Sequence, residues 1–574
     1  MPTQPSRNAI WPSRVRYMEN AEFNRDSAGW PMRFLKGERE ARRASGEWIG
    51  ATVADMARKR AASEPDAIAI SGEAGGMTYA QLLDEAEALA RGILAIGVKR
   101  GETVSFQLPN WVESAVVNLA CALGGFVINP VIPIYRHSEL RFILKDCKAK
   151  LIFLPETFRS IDYPAMIASL RGELPDLEHV VVVRGSADGV KTYAELLALG
   201  RASTGTLVSA EPDDAKFIIY TSGTTGQPKG VIYSHNQARR PVWASMEAWG
   251  LGEGARLLMP SPVTHVTGYA YGMEAPFHFG TRTVFMEKWD AERAADIIDQ
   301  EGITFTIGAT PFLQELVEQA EKRGSTLPSL KIFACGGAAV PRDLVRRANR
   351  VFENCRTFRV FGSSECPMVT QGALDDPELG AITDGRIYDW EVKVVDADGK
   401  PVSPGTEGEI IARGPSLFRG YTSMAANEES FDEDGYFRTG DIGIVTTDGL
   451  LTITGRKKDI IIRGGENLSA KEIEDALHEH PAVREAAVVA MPHERLGEGV
   501  CAFIVAKGDD RPAQPEMSAF LQDKGLARQK CPERVEYVDE LPKTASGKVK
   551  KHELRSMIAS LIAEETARQP KAAP

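Results

Sequence analysis

The sequence predicts an α/β protein: a large N-terminal unit of helix-covered β-sheets with a β-rich end, followed by a small α+β unit. Three observations predict it. From Thr78 to beyond Pro341, helical periodicity alternates with short β-branched and aromatic runs, the rhythm of parallel strands covered by helices. Between residues 388 and 455 short strands are separated by turns such as DADG at 396–399 and DEDG at 432–435. Behind Gly455 a compact α/β pattern resumes and ends in a basic helix.

Length and composition agree with such a protein. A chain of 574 residues is too long for one core and suggests roughly three to four structural units. Its 43% hydrophobic and 26% charged residues are ordinary for a globular chain. Lys+Arg 68 against Asp+Glu 79 gives 68 − 79 = −11, which argues against non-specific binding of nucleic acid or anionic lipid. The cysteines (Cys121, Cys147, Cys335, Cys355, Cys366, Cys501, Cys531) are odd in number and contain no C-x-x-C pair, which argues for a reducing compartment and against structural zinc. The N-terminus has no signal-peptide core, and the longest apolar run, 115–128, is too short to span a bilayer. The expectation is a cytoplasmic protein with no transmembrane segment.

Taken in order, residues 1–50 are polar, Arg-rich and irregular, and are expected to form an N-terminal extension over the surface. Thr78 and Gln81 have capping-box spacing ahead of one apolar face (Leu82, Leu83, Ala86, Leu89, Ala90, Ile93, Leu94) that stops at Gly97. Strands are expected at 103–108, 126–129 and 151–154, with helices at 112–123 and 140–146 between them. Runs at 217–220 and 231–233 read as strand, loop, strand. The rhythm returns in strands at 303–307 and 330–334 and helices from Pro311 and Pro341. Short strands at 392–395, 410–412 and 451–454 make the β-rich end. The last unit opens with a helix from Ala470, capped by Ser469 and Glu472, and contains strands at 486–491 and 502–505. The domain boundary is placed at 456–458, giving 51–456 for the large domain, with its β-rich end at 388–456, and 457–574 for the small one.

The loop between the strands at 217–233 carries the strongest chemical signal. Residues 220–230 read YTSGTTGQPKG, with hydroxyls at Thr221, Ser222, Thr224 and Thr225, glycines at Gly223, Gly226 and Gly230, and Lys229. Glycines let backbone N–H groups turn toward an anion, hydroxyls donate further hydrogen bonds, and the ammonium supplies a point charge. The spacing G-x-x-G-x-x-K lacks the Ser/Thr that follows a Walker A lysine, and a strand follows where a helix should open, so a P-loop NTPase fits poorly.

The string resembles the phosphate loop of the adenylate-forming superfamily, which includes acyl-CoA and aryl-CoA synthetases. Further motifs follow in the family's order. SPVTHVTG at 261–268 carries His265; ACGGAAVP at 334–341 carries Gly336, Gly337 and Ala338; VFGSSE at 360–365 stands where the family has Y-G-x-T-E; then come RTGD at 438–441, GRKKDIIIRGGENLSAKEIE at 455–474 and LPKTASGKVKKHELR at 541–555. As a whole the chain looks most like short- and medium-chain or alicyclic acyl-CoA ligases.

The resemblance implies ATP and CoA as co-substrates, Mg²⁺ as the metal, a small carboxylic acid as the partner, and a small C-terminal domain that is mobile about a hinge. It implies that Thr221, Ser222, Gly223, Thr224, Thr225, Gly226 and Lys229 cradle phosphates, and that His265 closes one wall of the acid site. Gly336, Gly337 and Ala338 would border adenine, with Phe361 stacked on it beside Gly362 and Ser363. Ser364 would donate to phosphate, Glu365 and Thr221 would hold Mg²⁺, and Asp441 and Arg456 would clamp the ribose. Lys458 would sit at the hinge, Gly464 and Gly465 would border the pantetheine channel, and Lys548 would drive adenylation. Phe361 for Tyr and Ser364 for Thr depart from the family motif but keep ring and hydroxyl. The mostly apolar set Val266, Thr267, Gly268, Tyr269 and Ala270 points to an aliphatic, alicyclic or steroid-like acid. Loading of a carrier protein and non-catalytic binding of an acyl nucleotide stand as rivals, and a homodimer is left open.

Overall fold

The structure is a computed structural model that describes residues 21–221, 228–544 and 548–568. The large unit is built on two seven-stranded sheets. The first runs, edge to edge, Lys191–Thr192, His179–Val183, Ala149–Pro155, Thr103–Phe106, Val127–Pro130, Ala215–Thr221 and Lys229–Ser234. Its strands are parallel except for the last pair, the antiparallel hairpin at the base of the YTSGTTGQPKG loop. The second runs Arg356–Val360, Ile332–Gly336, Phe305–Gly308, Arg256–Met259, Arg282–Phe285, Ile68–Gly72 and Gly75–Thr78, again parallel up to a final hairpin.

Helices hold the two sheets in one core. Tyr79–Ala95 starts at the expected capping box, with Thr78 accepting from the Gln81 backbone and Gln81 accepting from that of Thr78. The apolar run at 115–128 is a helix, Val112–Gly124, leading into the strand Val127–Pro130. That helix is largely apolar and buried on nearly every side, as a helix between two layers must be, with the buried Ser114 and Asn118 hydrogen-bonded. One contiguous core joins it to Val104, Phe106 and Phe153 of the first sheet and to Leu257, Phe285 and Phe305 of the second. Each such side chain taken out of water contributes about 1.5–3 kcal/mol.

Two expectations are corrected here. Residues 21–50 are not an irregular surface layer: Ala21–Arg25 and Pro31–Leu35 form an antiparallel hairpin, Glu38–Ala44 is a helix, and Met32, Phe34 and Trp48 enter the core of the first sheet. The β-rich end has four antiparallel strands rather than three: Glu391–Val395, Gly408–Arg413, Phe437–Val445 and Leu451–Arg456. The unanticipated strand carries RTGD, and its alternation is interrupted by register shifts against both neighbours.

Leu451–Arg456 closes that sheet, a single 3₁₀ turn follows, Lys457–Asp459, and Ile460–Arg463 opens the small unit. The small unit's central strands, Val483–His493 and Gly497–Ala506, alternate between two cores. Val488 and Ile504 face Ala470–Leu477 and Gln514–Asp523, while Val489 and Phe503 face the helix Lys551–Arg568. None of the seven cysteines forms a disulfide, and no helix among the described residues is long and apolar enough to cross a membrane.

Candidate active site

A cavity of about 350 Å³ opens at the carboxyl ends of the second sheet's strands, where ligands of open parallel sheets bind. The ends of Phe305–Gly308, Ile332–Gly336 and Arg356–Val360 form its floor, and Lys543, Thr544 and Lys548 of the small unit reach it from above. Its polar part is lined by Ser261, His265, Gly336, Gly337, Gly362, Ser363, Ser364 and Lys548. Its apolar part is lined by Pro241, Val266, Ala270, Tyr271, Ile307, Phe312 and Met368, with Thr267 beside them.

The wall of the apolar part is a π-helix, Gly268–Glu274, buried along its whole length. A Cβ at Gly268 would lie 2.1 Å from the carbonyl oxygen of Pro262, so no larger residue can start this turn. Of the apolar set read from the sequence, Val266, Thr267 and Ala270 face the cavity. Tyr269 does not: its ring packs on Phe217 and its hydroxyl donates to Asn118 Oδ1 at 2.5 Å. Tyr271 takes its place, with its hydroxyl spent on Ser245.

Glu365 is gripped from two sides. Ser363 Oγ donates to its Oε2 at 2.9 Å and the Tyr421 hydroxyl to its Oε1 at 2.9 Å, and each oxygen keeps acceptor capacity. Tyr421 also lies 5.0 Å beneath the Lys229 ammonium, and Lys229 stands opposite Thr221 in the hairpin register. Among the described residues no three or more His, Cys, Asp or Glu side chains gather as a metal site. One carboxylate with one hydroxyl suits Mg²⁺, which takes few protein ligands beside phosphates and water.

Asp441 and Arg456 face each other across paired strands, with Arg456 Nε donating to Asp441 Oδ1 at 2.6 Å. Burial raises the Asp441 carboxyl, opposed by Arg456. Burial lowers the Lys548 ammonium, as do Arg456 and Lys458, while Asp441 and Glu365 act the other way. His265 is pushed down to about 4 by burial and then by Lys548, so its ring is neutral at physiological pH.

The site residues predicted from the sequence therefore fall into groups. His265, Gly336, Gly337, Gly362, Ser363, Ser364 and Lys548 line the cavity. Glu365, Asp441, Arg456 and Lys458 stand in the electrostatic surroundings of Lys548, and Phe361 packs half-buried between the large core and the β-rich sheet. Ala338 sits half-buried in the turn after Gly337. Gly464 and Gly465 make an exposed turn of the small unit that does not reach the cavity. Ser222, Gly223, Thr224, Thr225 and Gly226 lie outside the described residues. Sequence reading missed Tyr421, Lys543 and Thr544; the aromatic residue in the Gly-flanked string RGYTS was the available signal for the first.

A two-unit chain in which a lysine of the small unit reaches a cavity at the strand ends of the large one is the class this architecture defines, and comparison with known proteins agrees. Residues 57–422 match the family model of the AMP-binding enzyme and residues 472–548 that of the AMP-binding enzyme C-terminal domain. The chain belongs to this adenylate-forming family and is by family an AMP-forming acid–thiol ligase. It is 35% identical over 542 residues to the medium-chain fatty-acid–CoA ligase of Escherichia coli (strain K12), covering 93% of this chain and 95% of that protein. It is 34% identical over 533 residues to the 2,3-dihydroxybenzoate-AMP ligase of Bacillus subtilis (strain 168), covering 91% and 96%. ATP-bound MatB from Rhodopseudomonas palustris has a similar structure, with TM-score 0.78, 26% identity and coverage of 88% of this chain and 99% of that one.

The electrostatics of Lys548 and His265 set an expected pH profile. The rate of pyrophosphate release falls on the alkaline side below the ordinary lysine value of 10.5, because the ammonium is lost early. No limb arises from His265 near 6.5, since it titrates at about 4. In Lys548→Arg the residual activity lacks the alkaline limb, arginine staying charged. An acid limb near 6.5 that disappears in His265→Ala would contradict this assignment.

Proposed function

We propose that the protein activates an aliphatic medium-chain or alicyclic carboxylic acid with ATP and transfers the acyl group to CoA. The observation that carries this reading is the cavity itself, whose lining combines the apolar Val266, Ala270, Tyr271, Ile307 and Phe312 with His265, Ser363, Ser364 and Lys548. The acid's carboxylate oxygen attacks the α-phosphorus of ATP, the bond to the bridging oxygen breaks, and pyrophosphate leaves with its charge. Both reactants are anionic, so the site must offset negative charge as it develops. Lys548 supplies an ammonium there, Lys229 and the loop Ser222–Gly226 hold the phosphates, and Asp441 and Arg456 orient the ribose. Mg²⁺, held by Glu365 and Thr221, supplies further neutralisation of phosphate oxygens when bound. Neutral His265 walls the carboxylate end without adding a charge.

For the second half-reaction the small domain swings about Lys458, withdraws Lys548 and brings the exposed Gly464–Gly465 turn to the site. The thiolate of CoA attacks the acyl carbonyl, and AMP leaves with the electron pair of the broken anhydride bond. A second reading has a specific basis in the 34% identical aryl-acid AMP ligase: transfer to a carrier-borne phosphopantetheine instead of free CoA.

Pyrophosphate release measured across acids from acetate to dodecanoate, cyclohexanecarboxylate, benzoates and a steroid acid, with and without CoA, separates these readings. Many-fold turnover that requires CoA and is fastest with medium-chain acids or with cyclohexanecarboxylate is the expected result. A single equivalent that CoA does not accelerate but a phosphopantetheinylated carrier does would establish the second reading. Preference for hydroxybenzoates would overturn the assignment of acid.

A further inference from the structure

The N-terminal segment that composition suggests is a surface layer packs against the stretch of chain that bears Tyr421, which grips Glu365. The segment around Leu417–Thr422 runs as an extra rung beside the hairpin strand Lys229–Ser234: Arg419 N donates to Ile232 O at 2.8 Å, Ile232 N to Gly420 O at 3.0 Å and Thr422 N to Gly230 O at 2.9 Å. On its other side it takes the N-terminal hairpin, with Arg33 N donating to Arg419 O at 2.7 Å. From this rung Phe418 N donates to the Glu365 carbonyl at 3.0 Å, and the Tyr421 hydroxyl to the Glu365 carboxylate at 2.9 Å. Backbone and side chain of Glu365 are thus both set by one rung.

A buried ionic knot holds the Arg419 end of the rung, while Asn427 bonds both backbone groups of Tyr421. The Arg419 guanidinium, 2% exposed, donates to the carbonyls of Leu417 (2.9 Å) and Arg33 (3.1 Å) and pairs with Glu38 at 3.0 Å. Glu38, 4% exposed, also accepts from Leu35 N and from Arg42 Nε. Burial alone would raise its carboxyl, but Arg419 and Arg42 hold it down at about 2. Trp48 Nε1 adds a bond to Pro415 O at 3.0 Å just upstream. A buried pair of this kind adds little net stability over well-packed apolar residues, and its best-attested use is to specify one geometry.

We propose that residues 31–48 are a positioning element for adenylation: Glu38, through Arg419 and the rung bearing Tyr421, fixes the direction in which the Glu365 carboxylate faces the metal–nucleotide. This rests on the reading above that Glu365 holds Mg²⁺. Glu38 and Arg419 touch no substrate and are positioning residues; a hydrogen bond to a charged group such as that of Tyr421 is among the stronger ones.

The test uses the full chain and reads metal binding directly, by electron paramagnetic resonance titration of Mn²⁺ in the presence of a non-hydrolysable ATP analogue, alongside melting temperature and steady-state constants. In Tyr421→Phe, which keeps the ring, the Mn²⁺ dissociation constant rises about tenfold, since one hydrogen bond to a charged group is worth that much. In Glu38→Gln it rises several-fold at temperatures well below melting, while KM for the acid stays within about twofold, the acid walls lying on other elements. Arg419→Lys, which keeps the charge and loses the fork, carries the same expectation and decides the matter if Glu38→Gln does not fold. A lower melting temperature with unchanged Mn²⁺ binding in both variants would overturn the proposal and leave the knot purely structural. Glu365→Ala separates the two levels: if it binds Mn²⁺ as tightly as the parent, the metal assignment itself falls, and the proposal with it.

Discussion

Replacing Lys548 with alanine lowers acyl-adenylate formation by about 10²- to 10³-fold, the range for removing one group aimed at developing charge, and leaves CoA transfer from supplied acyl-adenylate within about threefold of the parent. Adenylation builds negative charge at the α-phosphate and on departing pyrophosphate, and Lys548 is, with Lys543, one of two ammonium groups that the small unit brings to that cavity. Burial, Arg456 and Lys458 press it toward neutrality, while Asp441 and Glu365 favour the charged form that this role needs. Thioester formation needs no such charge, because the adenylate already carries its leaving group. Lys548 is held at the cavity by Thr544, whose N donates to Lys548 O at 2.7 Å and whose Oγ1 accepts from Lys548 N at 3.1 Å. Separate assays of pyrophosphate exchange and of thioester formation from synthetic acyl-adenylate decide the matter. Equal loss in both would mean that one pose serves both reactions.

Much of this arrangement was legible because it is local in the chain. Capping at Thr78 and Gln81, the hairpin of Ala215–Thr221 with Lys229–Ser234 and the largely apolar helix Val112–Gly124 each depend on residues within a few positions of one another. What could not be read depends on partners far away. An Arg-rich N-terminus reads as solvated surface; only when Arg419 arrives beside Glu38, 381 positions on, do its charges become interior. The strand Phe437–Val445 escaped notice because Gly440 and Asp441 break its alternation, and they do so because Asp441 faces Arg456. Tyr269 and Tyr271 are two positions apart, and a π-helix rather than the surrounding pattern decides which of them meets the cavity.

The largest stability effect is expected one layer behind that wall. Glu274 ends the π-helix without solvent exposure, pairs with Lys216 at 3.0 Å, accepts from Asn118 at 2.5 Å and faces His278 at 3.6 Å. Lys216 belongs to the strand Ala215–Thr221, so this pair joins the π-helical cavity wall to the hairpin that this strand forms with Lys229–Ser234. Glu274→Gln strands the Lys216 ammonium, and removing one partner of a buried pair costs about 3–5 kcal/mol. Lys216→Met costs a similar amount, and the double variant Lys216→Met/Glu274→Gln costs clearly less than the two together, since no charge is left unpaired.

The same pair sets an acid limit. Burial would raise the Glu274 carboxyl, but Lys216, His278 and Asn118 hold it at about 2 against an ordinary 4.5. A carboxyl depressed in the folded state contributes stability that is full above 4.5 and lost as pH falls toward about 2. That difference corresponds to about 3 kcal/mol. All eight tryptophans precede residue 391, so urea transitions followed by tryptophan fluorescence at pH 7 and pH 3 report the large unit alone. The parent loses stability between these pH values, and the double variant loses less of it. Additive single-variant costs with an unchanged acid response would show that Lys216 and Glu274 are held by their surroundings rather than by each other. KM for the acid then becomes the functional readout, because a wall that rests on this pair shifts Ala270 and Tyr271 when the pair is broken.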